Sequence, residues 1–87
     1  MKTFRELDEV AGLPKGSAFR AFKRLEPTLS EGQDYCLLRA GGDDNARIEE
    51  LRSQDRIYRN SVNIVLVDDG LAARLLKHLS GNLETGQ

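Results

Sequence analysis

The stretch from Leu7 to Leu25, LDEVAGLPKGSAFRAFKRL, restricts the possible folds of this chain more than any other part of it. Its apolar residues recur at helical spacing in two short repeats, which predicts two consecutive amphipathic helices. The sequence GLPKG separates the repeats. Gly12 suits the left-handed conformation that ends a helix, and Pro14 suits a first helical turn. A short turn containing glycine between two helices is typical of a helix-turn-helix.

The first helix is expected over about Phe4 to Ala11. It opens with a capping box, in which Thr3 and Glu6 satisfy each other's backbone amides. The second helix is expected from Pro14 or Lys15 to about Leu25. The inward-facing residues are expected to be Phe4, Leu7 and either Val10 or Ala11 in the first helix, and Ala18, Phe22 and Leu25 in the second.

The middle of the chain predicts an antiparallel pair of strands. A β-branched run at 61–67, SVNIVLV, is typical of a strand, and we expect it to pair with a strand over 34–38. The segment 39–60 would then be a long excursion at the tip of this two-stranded wing. Within it a short helix is expected over about 46–54, resting lightly on the body of the protein.

The C-terminal part predicts one more helix. Asp68 is a natural N-cap for a helix over about Asp69 to Leu79, which would bury a stripe of leucines. The segment 80–87, SGNLETGQ, has little to bury and is expected to be a loose tail. Residues 1–79 are therefore expected to form a single domain of the α+β class.

The order helix, turn, helix, strand pair, helix predicts a small winged helix-turn-helix. Tyr58-Arg59 and the segment 67–75, VDDGLAARL, resemble the end of the wing and the following helix in MerR-type and excisionase-like proteins. The segments LPKGSAFRAFKR and EGQDY are also similar to small phage-type or plasmid-type helix-turn-helix proteins. The resemblance covers most of residues 3–79. It departs from the family at Asp8, where a small residue is usual, and in the long acidic wing tip.

This resemblance implies sequence-specific binding of double-stranded DNA, by a small transcriptional regulator or an excisionase-like accessory factor. The net charge of −1 does not by itself favour nucleic acid, but its distribution does. Residues 1–25 hold six basic and three acidic side chains, whereas residues 26–57 hold four basic and eight acidic ones. The positive charge is concentrated on the predicted helix pair.

The second helix is the expected DNA-reading element, with its first turns facing the bases. Arg20 is the best candidate for reading a base, because a guanidinium can bridge O6 and N7 of guanine. The other outward residues are expected to contact phosphates, a thymine methyl group or a base edge. The complete predicted set is Lys15, Ser17, Phe19, Arg20, Lys23 and Arg24, with Arg59 of the wing as a phosphate ligand.

Three alternatives compete with DNA binding. The basic residues can be a solvated helix face without a partner. The acidic segment 43–55 can instead serve a winged-helix module that binds another protein. An enzyme is not expected, because the sequence has one His, one Cys, no phosphate-binding glycine pattern and no metal-ligand spacing. No cofactor and no small-molecule effector are inferred, and self-association on DNA is left open.

The sequence predicts a cytoplasmic protein without membrane association. No run approaches the roughly 20 apolar residues of a membrane span, and the N-terminus lacks the apolar core of a signal peptide. A single cysteine cannot form an internal disulfide, which is consistent with a reducing compartment.

Overall fold

The computed structural model describes the backbone of residues 1–85 and the side chains of residues 1–79. The described part is a small α+β domain with four α-helices and one three-stranded antiparallel sheet. Its elements in chain order are β1 (Lys2–Thr3), α1 (Phe4–Ala11), α2 (Ser17–Leu25), a 3₁₀ helix (Glu26–Thr28), β2 (Tyr35–Leu38), α3 (Asn45–Ser53), β3 (Ile64–Val67) and α4 (Asp69–Thr85).

Helix α1 begins and ends as its sequence predicts. The capping box is present, with the Thr3 hydroxyl accepting from the Glu6 amide and the Glu6 carboxylate accepting from the Thr3 amide. Gly12 ends the helix in the left-handed region with a φ of 68°. The apolar face is narrower than expected, because Val10 is 72% exposed while Leu7 is buried. Of the two residues considered for burial, Val10 is therefore not buried, and Ala11 is half-buried.

Helix α2 begins at Ser17, later than the predicted start at Pro14 or Lys15. The reason is Gly16, whose φ of 92° lies in the left-handed region. A residue in that conformation cannot continue a right-handed helix, so the regular turns start only after it. Its buried face is confirmed at Ala18 and Phe22, whereas Leu25 is only half-buried.

The predicted strand pair is confirmed, and a third strand joins it. Strands β2 and β3 pair antiparallel, with Tyr35 opposite Val67 and Leu38 opposite Ile64. Strand β3 starts at Ile64, three residues after the predicted start at Ser61. The two residues of β1 pair antiparallel with the other edge of β3, which gives the sheet order β1-β3-β2. The expectation of only two strands is therefore wrong.

The main core lies where α4 packs against α1, α2 and the end of β3. Helix α4 is capped by Asp68, whose carboxylate accepts from the Leu71 amide at 2.7 Å. The backbone of α4 is helical as far as Thr85, so the predicted loose tail from Ser80 is helical in its first six residues. The last two residues lie outside the described part. The buried residues of this core are Leu7, Ala18, Ala21, Phe22, Val67, Leu71, Ala72, Leu75 and Leu79.

A second core fixes the long excursion between β2 and β3. Ile48 and Leu51 of α3 are only 1% and 4% exposed, and they pack with Ile57 and with the inner residues of the sheet. The expectation that this helix rests lightly on the body is therefore wrong. The two apolar residues of α3 lie three positions apart on one helix face, which is sufficient to close a small cluster over the sheet.

The end of the excursion is also bonded to the N-terminus of α1. The Thr3 hydroxyl donates to the carbonyl of Arg56, and the Arg56 guanidinium lies 3.2 Å from the Glu6 carboxylate. Burial alone would raise the pKa of Glu6, but the hydrogen bonds from Arg56 and Thr3 outweigh it and lower that pKa. These contacts join chain segments about fifty residues apart.

Within the described residues, no helix is both long enough and apolar enough to cross a membrane.

Candidate nucleic-acid interface

The outer face of α2 carries most of the residues predicted to contact DNA. Because α2 turns its small and aromatic side chains toward the core, the opposite side of the helix faces solvent. Four of the predicted residues are exposed there, namely Phe19, Arg20, Lys23 and Arg24. The arrangement gives one helix face three positive charges within five residues.

The Arg20 side chain extends back toward the N-terminal end of α2. A Cβ atom placed on Gly16 would lie 3.2 Å from Nη1 of Arg20, so the guanidinium covers the glycine that precedes the helix. Helical side chains lean in this direction because each Cα–Cβ bond is tilted toward the N-terminus. Among the described side chains, Arg20 takes part in no ion pair. Its charge therefore lies at the N-terminal end of α2 without an ionic partner among the described side chains.

The other cations differ in how far they are already paired. The Lys23 ammonium lies 2.6 Å from a carboxylate oxygen of Glu26, one turn further along the chain. Arg24, and Arg59 in the segment between β2 and β3, are exposed, and neither is in an ion pair within the described residues. Arg24 is therefore better suited than Lys23 to neutralise a phosphate.

Lys15 and Ser17, on either side of the start of α2, each contact another group of the protein. The Lys15 ammonium lies 4.9 Å from the centroid of the Tyr58 ring, a cation–π distance. Ser17 is half-buried, and its hydroxyl donates to the Pro14 carbonyl at 2.8 Å. Ser17 is the first residue of α2, and its hydroxyl is bonded back to the turn that precedes the helix.

The ring of Phe19 packs partly against the protein and is partly exposed to solvent. The ring packs edge-on against Phe4 with centroids 5.9 Å apart, and the residue is still 48% exposed. The same side chain therefore packs on the body of the protein and keeps an exposed surface that a ligand could contact.

A buried carboxylate from α1 holds the N-terminal end of α2. Asp8 is 1% exposed, and its two oxygens accept from the backbone amides of Gly16 at 3.0 Å and Ala18 at 2.7 Å. Helix α2 has no side-chain cap of its own, so Asp8 satisfies amides that a local N-cap would otherwise bond. Its negative charge also complements the dipole of α2. The acid that departs from the family resemblance thus fixes one helix against the other.

Tyr58 connects the long excursion between β2 and β3 to the same carboxylate. Its hydroxyl donates to Oδ2 of Asp8 at 2.6 Å, and the Arg5 guanidinium lies 5.6 Å from the centroid of its ring. Burial, together with the hydrogen bond and charge of Asp8, raises the pKa of Tyr58 to about 12. Tyr58 therefore stays protonated, and remains a donor to Asp8, at every physiological pH.

The sequence did not identify Asp8 and Tyr58 as partners. One signal was available, because Asp8 directly follows the buried Leu7 and an acid at the edge of a core needs donors. The donor from Tyr58 lies 50 positions away in the chain. No spacing rule for helices or turns connects residues at that separation.

The acidic segment 43–55 offers a charged surface without an apolar anchor. Its two large apolar residues, Ile48 and Leu51, are buried in the second core. The exposed large apolar residues of the described chain all lie elsewhere, at Met1, Val10, Phe19 and Val62. Within the described residues no group of three His, Cys, Asp or Glu side chains is placed to hold a metal ion.

Comparisons of the chain with protein-family models, with curated proteins and with solved structures give no match.

Proposed function

We propose that this chain binds double-stranded DNA in a sequence-dependent manner, with α2 in the major groove. The observation that carries the proposal is the position of Arg20. Its guanidinium lies at the N-terminal end of an exposed helix face and is in no ion pair among the described side chains. Recognition helices contact bases mainly through their N-terminal residues, and arginine pairs with guanine through two parallel hydrogen bonds.

The attachment of α2 to the rest of the protein supports this role. A base contact is specific only if the side chain is held within a fraction of an ångström of the productive position. Asp8 bonds the amides of Gly16 and Ala18 at the start of α2, and Phe22 anchors the inner face of the helix in the core. Arg20 is thus presented by a helix held both at its end and along its buried side.

The remaining charges would supply affinity without sequence information. Arg24 and Lys15 flank Arg20 on the second helix and its preceding turn, where they can neutralise phosphates on either side of the groove. Arg59 follows Tyr58 in the wing excursion and is the expected phosphate ligand there. The order of helix pair, strand pair and final helix supports assignment to the winged helix-turn-helix class. A role as transcriptional regulator or excisionase-like factor follows from the sequence resemblance.

Fluorescence anisotropy with labelled duplexes tests the proposal. Selection of bound oligonucleotides from a random pool first supplies a preferred sequence, and a palindromic result would show that two copies bind together. The affinity for the preferred and for a scrambled duplex is then measured over a range of salt concentrations. We expect binding that weakens as salt rises, with a slope set by the number of phosphates contacted.

Three arginine variants separate base reading from charge. Arg20→Ala is expected to cost about 1–3 kcal/mol on the preferred duplex and to erase the preference over the scrambled one. Arg24→Ala is expected to weaken both duplexes alike and to reduce the salt slope by about 1. Arg74→Ala is the matched control, because it removes the same charge from an exposed position on α4, which packs behind the buried face of α2.

Absence of binding at about 10⁻⁴ M protein in low salt would overturn the proposal, since even non-specific DNA binding is tighter than that. The alternative of a protein-binding module that uses segment 43–55 would then take its place. Equal and uniform losses from Arg20→Ala, Arg24→Ala and Arg74→Ala would show that α2 has no special position on DNA.

A further inference from the structure

A pocket of about 280 Å³ lies between the helix pair and the end of the long excursion between β2 and β3. Its walls come from α1, from the turn before α2, from the first turn of α2 and from residues 57–65. The volume is just below the range of about 300–1,000 Å³ that small-molecule sites occupy. It suits a ligand of one or two rings.

The walls of the pocket are mainly apolar and partly aromatic. Phe4 and Phe19 contribute two rings already packed edge-to-face, Tyr58 contributes a third, and Val65 of β3 contributes an aliphatic surface. Aromatic walls favour a flat apolar ligand, because offset and edge-on ring contacts add to the free energy of burial. Phe19 is also half-exposed, so its ring has contact area that the protein itself does not cover.

The polar groups of the pocket favour a negative charge on the ligand. The only acid in its walls, Asp8, already accepts three hydrogen bonds from the protein. The Arg5 guanidinium is paired with Glu9 at 3.1 Å. The other cation that lines the pocket, Lys15, is in no ion pair within the described residues.

A neighbouring amide supplies a further donor. Asn63 also lines the pocket, and its side-chain oxygen accepts from the Ala40 amide at 3.3 Å. Its NH₂ group is thereby left to donate to another acceptor, because the two halves of an amide side chain have opposite hydrogen-bonding roles. The pocket thus has mainly apolar walls and two hydrogen-bond donors, the Lys15 ammonium and the Asn63 amide.

We propose that this pocket binds a small aromatic carboxylate, with its ring between Phe4, Phe19 and Val65 and its carboxylate on the Lys15 ammonium. The ligand would replace water against the three apolar residues and give Lys15 an anionic partner. The proposal does not depend on DNA binding, and its test contains no DNA.

The test is a titration of the ¹⁵N-labelled full chain with 2-naphthoate, followed by ¹H–¹⁵N correlation spectra. We expect saturable shifts concentrated at the amides of Lys15, Gly16, Phe19 and residues 61–65. The neutral analogue 2-naphthamide has the same ring and nearly the same shape. It is expected to bind roughly tenfold more weakly, since it cannot form the charged contact with Lys15.

Two lysine variants locate the charge that matters. Lys15→Gln is expected to weaken 2-naphthoate binding roughly tenfold and to leave 2-naphthamide unaffected. Lys23→Gln is the matched control, because it removes the same charge from an exposed position on α2, the helix that follows Lys15, and Lys23 does not line the pocket. It is expected to change neither affinity. Both variants alter exposed side chains, so the native spectrum should be retained.

Three results would overturn the proposal. The first is an absence of saturation, or shifts scattered over the surface of the protein. The second is equal affinity for 2-naphthoate and 2-naphthamide, which would show that the pocket does not select an anion. The third is an equal effect of Lys15→Gln and Lys23→Gln, which would show a general response to charge.

Discussion

Removing the Asp8 carboxylate is expected to destabilise the protein more than any change on its charged surface. The side chain is 1% exposed and accepts from Gly16 N, Ala18 N and Tyr58 Oη at 3.0, 2.7 and 2.6 Å. Asp8→Ala leaves these three donors without their acceptor, and the hydrogen bond from the Ala18 amide among them is buried. The helix pair also loses the contact that fixes the start of α2.

The expected loss is about 3–5 kcal/mol in the free energy of unfolding. Loss of a helix N-cap costs about 0.5–2 kcal/mol, and a hydrogen bond to a charged acceptor contributes about 1.5–3 kcal/mol. The terms overlap, because the same carboxylate makes all three bonds. A domain of 87 residues is stable by about 4–13 kcal/mol in total. One carboxylate thus accounts for a large part of the stability.

Urea unfolding followed by circular dichroism measures this loss, and a double-mutant cycle with Tyr58→Phe assigns part of it. In the wild-type background Tyr58→Phe is expected to cost about 1–2 kcal/mol, because it removes the hydroxyl that donates to Asp8. In the Asp8→Ala background the same change should cost almost nothing, since the hydroxyl has already lost its acceptor. If Asp8→Ala is unfolded in buffer, trimethylamine oxide added to all four proteins restores a measurable transition.

Glu9→Ala is the matched control, because it removes a neighbouring carboxylate from the same helix. The Glu9 side chain is 63% exposed and pairs with Arg5 on the surface, so its loss should cost under about 1 kcal/mol. A similar small loss for Asp8→Ala would refute the reasoning. Additive effects of Asp8→Ala and Tyr58→Phe would show that the hydrogen bond between them contributes nothing.

The second core, the half-buried Tyr58 and the end of α1 each lead to one further prediction. Ile48→Ala is expected to cost about 2–5 kcal/mol in urea unfolding, because the residue is 1% exposed, and a cost under about 1 kcal/mol would show that α3 is loosely attached. The stability difference between wild type and Tyr58→Phe should hold below pH 10 and shrink as pH rises toward 12, because the folded state keeps this proton longer than the unfolded chain does. A difference that stays constant over that interval would contradict the raised pKa. Gly12→Ala is expected to cost about 1–2 kcal/mol because of its φ of 68°, whereas Gly42→Ala, at a position without positive φ, should change the free energy of unfolding by under about 0.5 kcal/mol.

The elements that the sequence predicted well are those whose signals are local. The capping box of Thr3 and Glu6, the left-handed Gly12 and the Asp68 cap of α4 each involve residues within four positions of one another. The β-branched run that became β3 carries its preference residue by residue. These features depend little on the rest of the fold, so a single sequence is sufficient to identify them.

The elements that the sequence missed exist only through partners that are distant in the chain. Strand β1 has two residues and no pattern of its own, and it is a strand because β3 offers a free edge beside it. The weak apolar pattern of α3 suggested a loose helix, yet Ile48 and Leu51 close a core with residues from the sheet. Helix α2 starts late because the turn brings Gly16 into the left-handed region.

The same distinction between local signals and distant contacts applies to the candidate interface. The sequence by itself determined that positive charge collects on the second helix, and that Phe19, Arg20, Lys23 and Arg24 share its outer face, because a helix of known period fixes which side chains point together. Only the tertiary structure decided that Asp8 fixes the start of that helix and that Tyr58 bonds to Asp8. A buried carboxylate takes whichever donors the packing brings to it, and contacts between segments fifty residues apart form only when the whole chain folds.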